Sequence, residues 1–387
     1  MNDTLTLYSN LSKFVFENGV AFHDIRAAVT FIWSLVGLLL SGKIHLSQWA
    51  LYRPGKTQAG GKERQISRWL HNEHIVPKEI YRNLGTAALL QWNETRLEIA
   101  LDTSCLWERF VIVRVSLIYR GRAIPLVWKV LEGKSASVSF SDYADLLWTL
   151  RQMLPSSAKV LLLADRGFVD TELMFFASQF QGDYILRAKT SLWVHRKGHD
   201  PVKLGQLLPP QGKIHLFKTA KVTAKQFGPL AIAIAHVRTQ AGYQPWFLLT
   251  NTSPSLATFE DYALRFDIEE NFLDDKSAGF QLESSELDDA DALSRLCLLL
   301  AVATLYLVST GTAVHSLNLR PLVDSHWQRG LSYLQIGWRW LHLALTAGKR
   351  LLSFIWLEPG PDPEPVFASH AQANRSPFAF SGIHLIL

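Results

Sequence analysis

Apolar residues recur at helical spacing over residues 1–93, and shorter apolar runs typical of strands follow from residue 94. The runs Arg96–Asp102, Phe110–Tyr119 and Ala123–Leu131 predict three strands, and the last two are joined by Arg120-Gly121-Arg122. A glycine at the centre of so short a link favours an antiparallel hairpin. The pattern therefore predicts a helical region followed by antiparallel strands.

Helices and strands alternate in the next part of the chain. Helical periodicity covers Ser141–Leu154 and Asp170–Gln179, and the continuous apolar run Ala158–Ala164 between them suits a strand covered on both faces. Tyr184–Ala188 predicts one more strand. This order predicts an α/β fold, a mixed sheet flanked by helices as in ribonuclease H-like proteins.

A β-rich insertion, about residues 190–251, interrupts this order with short alternating runs and Gly/Pro turns. From Asp183 to Gln240 the chain carries ten Lys or Arg residues and two Asp residues. Such an imbalance suits a surface that faces nucleic acid, and an ordinary β subdomain is the alternative.

The pattern divides the chain into four parts. Residues 1–93 form a helical, basic region, in which Lys43 to Leu90 carries eight basic and three acidic residues, so we expect it to bind DNA. Residues 94–320 form the ribonuclease H-like domain with its insertion. A C-terminal helical region, 321–358, precedes a Pro-rich tail, 359–387, which we expect to be extended or disordered.

Composition adds an expectation about the compartment. The formal net charge of +5 is a weak indication of a negatively charged partner. The two cysteines, Cys105 and Cys297, lie far apart and outside any CxxC motif, which argues against zinc and disulfides. Because the N-terminus also lacks the pattern of a signal peptide, we expect a cytoplasmic protein.

Two apolar stretches, Ala27–Gly42 and Leu296–Val314, raise the question of a membrane span. The first is shorter than the roughly 20 residues that a span requires. The second contains polar residues such as Thr304 and Thr310 and follows an acidic segment. We expect both to be buried helices and no membrane to be bound, with a membrane protein as the alternative.

Two aspartates, Asp102 and Asp165, each follow an apolar run at the predicted end of a strand. Strand ends of an open sheet are where ligand sites gather. A lone aspartate at such a position is more often a turn former or a helix cap, but two on neighbouring strands favour a site.

A third carboxylate lies on the predicted helix Tyr262–Lys276. At about 100° per residue, Tyr262, Arg265, Glu269 and Lys276 fall within roughly 60° around the helix axis. One phenol, one carboxylate and two cations thus share a face. A solvated helix face is the alternative interpretation.

These residues carry a resemblance. The spacing Tyr262-x2-Arg265-x3-Glu269-x6-Lys276, with Asp102 in DTS and Asp165 in ADRGF, resembles the DDE transposases of bacterial insertion sequences that share a Tyr-Arg-Glu-Lys signature. The resemblance covers about residues 60–350.

The resemblance implies that Asp102, Asp165 and Glu269 are catalytic and hold two Mg²⁺ ions, for which Mn²⁺ can substitute. In such chemistry one ion activates the attacking water or 3′-hydroxyl and the second stabilises the leaving oxygen. Hard cations select oxygen ligands, which fits this set. The resemblance further implies that Tyr262, Arg265 and Lys276 contact phosphates of the transposon end.

Other residues are expected to contact DNA by their position. In similar transposases an aromatic residue at the place of Trp246 stacks on a flipped base, and a core tryptophan is the alternative. Arg64 and Arg68 lie one helical turn apart and suit a grip on the phosphate backbone. The remaining candidates lie beside Asp165 or after the strand 184–188: Arg166, Arg187 and Lys189.

The implied function is cut-and-paste DNA transposition: metal-dependent cleavage at transposon ends and strand transfer into target DNA. The expected partners are double-stranded DNA, namely terminal inverted repeats and target DNA, and a second copy of the chain when two ends are paired. The expected location is the bacterial cytoplasm, associated with the nucleoid. The alternative is a catalytically inactive, transposase-derived DNA-binding protein, and whether the excised end passes through a hairpin stays open.

Overall fold

The computed structural model describes residues 3–179, 182–239, 242–366 and 384–385. The N-terminal region is helical. Asp24 caps the second helix by accepting a hydrogen bond from the Arg26 backbone N–H, and Gly42 ends that helix in the left-handed conformation. The helices are α1 (Asp3–Phe16), α2 (Ile25–Ser41), α3 (Leu46–Tyr52), α4 (Ala59–Leu70) and α5 (Pro77–Leu89).

A mixed sheet with flanking helices forms the centre of the molecule, so the predicted α/β class is confirmed. The strands run in the order β3-β2-β1-β4-β5-β10-β9-β8-β6-β7. Their bounds are β1 (Arg96–Leu106), β2 (Phe110–Tyr119), β3 (Arg122–Glu132), β4 (Lys159–Ala164), β5 (Asp183–Arg187), β6 (Trp193–His195), β7 (Val202–Lys203), β8 (Ile214–Val222), β9 (Phe227–Thr239) and β10 (Gly242–Thr250). A short strand, β11 (His384–Leu385), pairs in parallel with β8.

The antiparallel meander β1-β2-β3 is followed by α6 (Phe140–Met153), β4, α7 (Thr171–Gln179) and β5. Strands β1, β4 and β5 are parallel neighbours, so they are joined by crossover connections, and these connections contain α6 and α7. The predicted end of β1 at Asp102 was wrong, because β2 continues to pair with β1 as far as Leu106↔Phe110.

The basic insertion joins the main sheet. Strand β10 pairs antiparallel with β5, with Leu249 opposite Leu186, and β9 and β8 follow outward. The predicted strands of residues 190–251 therefore extend the central sheet. That this basic part of the sheet faces DNA stays a prediction.

The chain after the sheet is mostly helical. The elements are α8 (Ala257–Ala263), α9 (Phe266–Leu273), a π-helical turn (Asp274–Ala278), α10 (Ala290–Ser316) and α11 (Tyr333–Thr346). The predicted single helix Tyr262–Lys276 was wrong, since it is broken after Ala263 and changes to π-helical geometry at Asp274.

Helix α10 is the core helix of the protein. Among the described residues it is the single unbroken helix with the length and composition of a membrane span, and the bent pair α2 and α3 passes the same test only if it is counted as one span. The whole apolar window of α10 is buried against its neighbours, as in the core helix of a soluble protein. This arrangement accords with the expected buried helix at Leu296–Val314.

Residues 359–366, the described start of the Pro-rich tail, form neither helix nor strand and are held by ion pairs. Arg329 pairs with Asp362 and His315 lies 2.9 Å from Glu364. Of the rest of the predicted tail, residues 367–383 and 386–387 lie outside the described residues.

Helices α10 and α11 approach so closely that their contact requires glycine. A Cβ atom on Gly337 would lie 1.9 Å from the Leu307 carbonyl oxygen, and one on Gly311 would lie 1.8 Å from the Tyr333 carbonyl oxygen. Because the obstructing atoms belong to the backbone of the partner helix, a side chain at either position must push the helices apart.

We predict that Gly337→Ala lowers the free energy of unfolding by about 1–3 kcal/mol or more, the usual cost of overpacking a core. Gly60→Ala is the matched control, because a Cβ there meets nothing within 4 Å. Urea denaturation followed by circular dichroism measures both variants. Equal stability of the two variants would contradict the close contact.

Candidate active site

Two carboxylates emerge side by side at one edge of the parallel strands. The last register pair of β1 and β4 is Leu101↔Ala164, and Asp102 and Asp165 are the next residues on the two chains. Neighbouring strands lie about 4.8 Å apart, and residues in register point to the same face. The parallel pairing thus brings together two aspartates that are 63 positions apart in the sequence.

Helices α8 and α9 cover this face and supply the other residues. Tyr262 is fully buried among Leu161, Leu163 and Ile185, and its hydroxyl lies 3.5 Å from Asp165 Oδ1. The segment that follows places Arg265 and Glu269 over Asp102. Three residues of the predicted signature therefore meet the two strand-end aspartates.

Arg265 lies between two of the three carboxylates. Its Nη1 donates to Asp102 Oδ2 at 2.8 Å, and its Nη2 donates to Glu269 Oε1 at 2.5 Å. The guanidinium is only 4% exposed, whereas the Glu269 side chain is 52% exposed. The result is a charge-assisted chain of hydrogen bonds, which are stronger than those between neutral groups.

Burial and neighbouring charges shift the pKa values in this cluster. Burial raises the pKa of Asp102, while Arg265 and the Thr103 backbone N–H act against the increase, and the charges of Glu269 and Asp165 add to it. Burial alone would lower the pKa of Arg265, but Tyr262, Asp102 and Glu269 outweigh this effect and raise it. The arginine therefore stays charged and offsets the repulsion between the acids.

Lys276 lies apart from the other signature residues. Its Nζ donates to the Cys105 backbone carbonyl at 2.5 Å, beyond Asp102 along β1. The break after Ala263 and the π-helical turn change the angular positions that a continuous helix would give. Tyr262, Arg265 and Glu269 nevertheless gather at the two aspartates, and Lys276 reaches the same edge of the sheet at Cys105.

The three acids have the donor atoms that suit a metal ion, but their arrangement does not form a metal site. Aspartate and glutamate oxygens are the donors that Mg²⁺ prefers. Within the described part of the chain, however, no three His, Cys, Asp or Glu side chains form a group that could hold a metal ion. Arg265 is the cation between Asp102 and Glu269, and metal ions remain a proposal.

Trp246 is a core residue here. It is 1% exposed, stacks on Phe266 with ring centroids 5.8 Å apart, and meets Tyr262 edge-on at 5.1 Å. The guanidinium of Arg187 lies 5.8 Å from the centre of its ring. The expectation that Trp246 offers a face to a DNA base does not hold in this conformation, because neighbouring side chains cover the ring.

The other residues that were predicted to contact DNA are exposed, except Arg187, which is half-buried. Arg187 follows the last β4–β5 register pair, Ala164↔Leu186, so it lies in line with Asp102 and Asp165 and is half-buried. Arg166 and Lys189 are exposed near the same edge. Arg64 and Arg68 are exposed on α4, in the N-terminal region.

A buried ion pair beside the site was not predicted from the sequence. Arg114 lies directly opposite Asp102 on β2, and its Nη1 donates to Asp275 Oδ2 at 2.6 Å and to Asn271 Oδ1 at 2.8 Å. Both charged side chains are almost fully buried, at 1% and 2% exposed. The pair joins β2 to the turn that carries Lys276, so it fixes α9 over β1. A signal was present in the sequence, because Arg114 is the single charged residue in the mainly apolar strand FVIVRVSLIY.

Comparison with known proteins finds distant similarity among solved structures. No protein-family model and no curated protein matches the chain. Among solved structures, the chain is similar to the piggyBac transposase in a cryo-EM synaptic complex with hairpin DNA, with 10% sequence identity and a TM-score of 0.47. The alignment covers 90% of this chain and 81% of that chain. Similarity at this level carries no argument about the site, which rests on its own geometry.

We predict that Arg114→Met destabilises the protein by about 3–5 kcal/mol, because it leaves the Asp275 carboxylate buried without its cation. The double variant Arg114→Met/Asp275→Leu is the control and recovers most of the stability.

The single variant also has a pH signature. Burial already raises the pKa of Asp275 and Arg114 opposes the increase, so removal of the arginine raises that pKa further. When the pKa of a carboxyl group is higher in the folded state than in the unfolded state, the free energy of unfolding of the protein falls as the pH rises through these pKa values. Denaturation at pH 5 and pH 8 should therefore show the larger defect at pH 8. A defect that is equal at both pH values would contradict the assignment.

Proposed function

We propose that this chain is a DNA transposase of the DDE type, which cleaves DNA at transposon ends and joins the ends to target DNA. The observation that carries the proposal is the meeting of Asp102 and Asp165 on adjacent parallel strands with Glu269, which is linked to Asp102 through Arg265. Such a set of acids is suited to phosphodiester chemistry with divalent ions.

The fold assignment in this proposal is ribonuclease H-like. It is supported by the strand order β3-β2-β1-β4-β5, in which β1, β4 and β5 are parallel and β2 is antiparallel to β1. Asp102 and Asp165 lie toward the carboxyl ends of the parallel strands, where ligand sites of open α/β sheets are found.

Asp102, Asp165 and Glu269 are the proposed ligands of two Mg²⁺ ions, for which Mn²⁺ can substitute. When bound, the ions would supply activation of the attacking oxygen and stabilisation of the leaving oxygen. The acids have the right donor atoms, but Arg265 holds two of them. We therefore propose that Arg265 leaves Asp102 and Glu269 when the ions and the DNA are in place.

The remaining residues of the cluster would orient the carboxylates and neutralise the charge of the DNA phosphate. The Thr103 backbone N–H donates to Asp102 Oδ1 at 2.8 Å and fixes that carboxylate. The Tyr262 hydroxyl lies 3.5 Å from Asp165 Oδ1, and we propose that it orients this carboxylate once the distance shortens on ligand binding. Once free of the acids, the Arg265 guanidinium has the fork geometry that binds a phosphate with two hydrogen bonds, and Lys276 adds a point charge beyond Asp102.

The proposed partner is double-stranded DNA, as transposon ends and as target. Two copies of the chain would hold the two ends as a dimer. We further propose that the chain belongs to the bacterial insertion-sequence group with the Tyr-Arg-Glu-Lys signature and acts in the cytoplasm at the nucleoid.

We predict that Asp102→Asn and Glu269→Gln each lower Mg²⁺-dependent nicking of a plasmid that carries the DNA flanking the coding sequence. The loss should be at least the roughly 100-fold that removal of an outer-shell partner of a metal costs, because a direct ligand is lost. DNA binding in EDTA should persist in both variants. If the wild-type protein binds the same DNA without nicking it, the inactive DNA-binding alternative is correct.

We also predict that Arg265→Met tightens the binding of Mn²⁺ to the protein without DNA, measured by calorimetry or by the electron paramagnetic resonance of free Mn²⁺. The dissociation constant should fall by roughly tenfold or more, since a unit charge about 4 Å away is worth several kcal/mol at the effective dielectric of a protein site. Arg187→Gln is the control, because it removes the same charge near the site without leaving a gap between the acids. Equal effects of the two variants would show that Arg265 does not occupy the ion position.

A further inference from the structure

A groove lined by arginines lies between α2 and α4, in the N-terminal region. It has a volume of about 630 Å³ and opens to solvent. We call it the arginine groove. Its lining residues that bear on the argument are Arg26, Arg53, Arg68, Gln65, Asn72 and Asp24.

The charge of the groove is unbalanced. Asp24 is its acidic residue, and it is already engaged, because it caps α2 through the Arg26 backbone N–H at 2.8 Å and pairs with the Arg26 Nε at 2.9 Å. No carboxylate in the described parts of the chain forms an ion pair with Arg53 or Arg68. Two guanidinium groups in one groove are therefore available to an anionic ligand.

The surroundings of Arg53 indicate an anionic ligand more specifically than the overall charge of the groove does. Its side chain is half-buried, its Nη1 donates to Thr30 Oγ1 at 3.3 Å, and burial lowers its pKa. A partly desolvated cation that has a hydroxyl but no carboxylate beside it is less stable than one with an anionic partner. A ligand that brings an anionic oxygen into the groove would stabilise it.

The shape and the lining favour a polymer that carries phosphates. The groove is open, so it suits a chain lying across it better than an enclosed small molecule. Arginine forks match phosphate oxygens, and the Gln65 and Asn72 amides offer both donors and acceptors beside them. Exposed Arg64 extends the basic surface along α4, although its Nε donates to the Gly60 carbonyl at 3.1 Å.

We propose that the arginine groove binds the sugar–phosphate backbone of duplex DNA, with Arg53 and Arg68 as the phosphate contacts. This proposal rests on the proposed function for the identity of the polymer. It differs from the expected grip by Arg64 and Arg68 along one helix, because Arg68 lines the same groove as Arg53 and Arg26.

The test measures the binding of a fluorescein-labelled, random-sequence DNA duplex by anisotropy in EDTA over a series of salt concentrations. The variants are Arg53→Gln and Arg68→Gln, and the matched control is Arg82→Gln, an exposed arginine on α5 outside the groove. Each groove variant should weaken binding and lower the slope of log K against log salt by about 0.9, the value for one lost contact with B-DNA. The control should keep the wild-type slope, and circular dichroism should give the same folded spectrum for all.

The outcomes separate this proposal from the proposed enzyme. If the wild type binds DNA without nicking it, and the two variants show the predicted slopes, the proposal for the groove is supported and the proposed transposase activity is contradicted. If the wild type nicks DNA but Arg53→Gln and Arg68→Gln leave the slope unchanged, the proposal for the groove is contradicted and the proposed transposase activity is supported. Displacement of the duplex by an equal concentration of single-stranded DNA would also overturn the groove as a duplex site.

Discussion

The site depends on one constraint, the parallel pairing of β1 with β4. That pairing ends at Leu101↔Ala164, so the next residues, Asp102 and Asp165, must lie side by side on one face of the sheet. The pairing of β4 with β5 ends at Ala164↔Leu186 in the same row and adds Arg187. A slip of one residue in any of these strands would turn its polar side chain to the opposite face. The register therefore determines the site before any helix packs on it.

Repulsion between the acids opposes this arrangement, and the buried Arg265 guanidinium offsets it, while a second buried guanidinium, that of Arg114, pairs with an acid beside the site. Arg265 bonds to Asp102 and Glu269, and Arg114, opposite Asp102 on β2, bonds to Asp275. The first cation touches the candidate catalytic acids and the second only fixes α9 above them. Arg265 thus supplies a single positive charge between two of the acids that we propose as ligands of the ions. Arg114 instead holds the surrounding elements together.

Much of this arrangement could be predicted from the sequence. Apolar runs before Asp102 and Asp165 indicated the two acids, although β1 continues past Asp102 to Leu106. The spacing from Tyr262 to Glu269 indicated the helical segment that covers them. The periodicity did not reveal that the helix is interrupted after Ala263 and changes to π-helical geometry at Asp274, because the apolar spacing continues through both places. It also could not show that Trp246 is enclosed, since its neighbours Phe266 and Arg187 come from other elements. The pairing of Arg114 with Asp275 depends on contacts between residues 161 positions apart.

The central claim is that Asp102, Asp165 and Glu269 hold divalent ions in a place that Arg265 occupies when no ion is bound. The most direct measurement is anomalous diffraction from crystals of the protein with duplex DNA and Mn²⁺. Our account predicts manganese peaks within coordination distance of Asp102 and Asp165, with the Arg265 guanidinium moved from Asp102 to a DNA phosphate. Crystals in which Arg265 still bridges Asp102 and Glu269, and no manganese peak lies at the three acids, would contradict it.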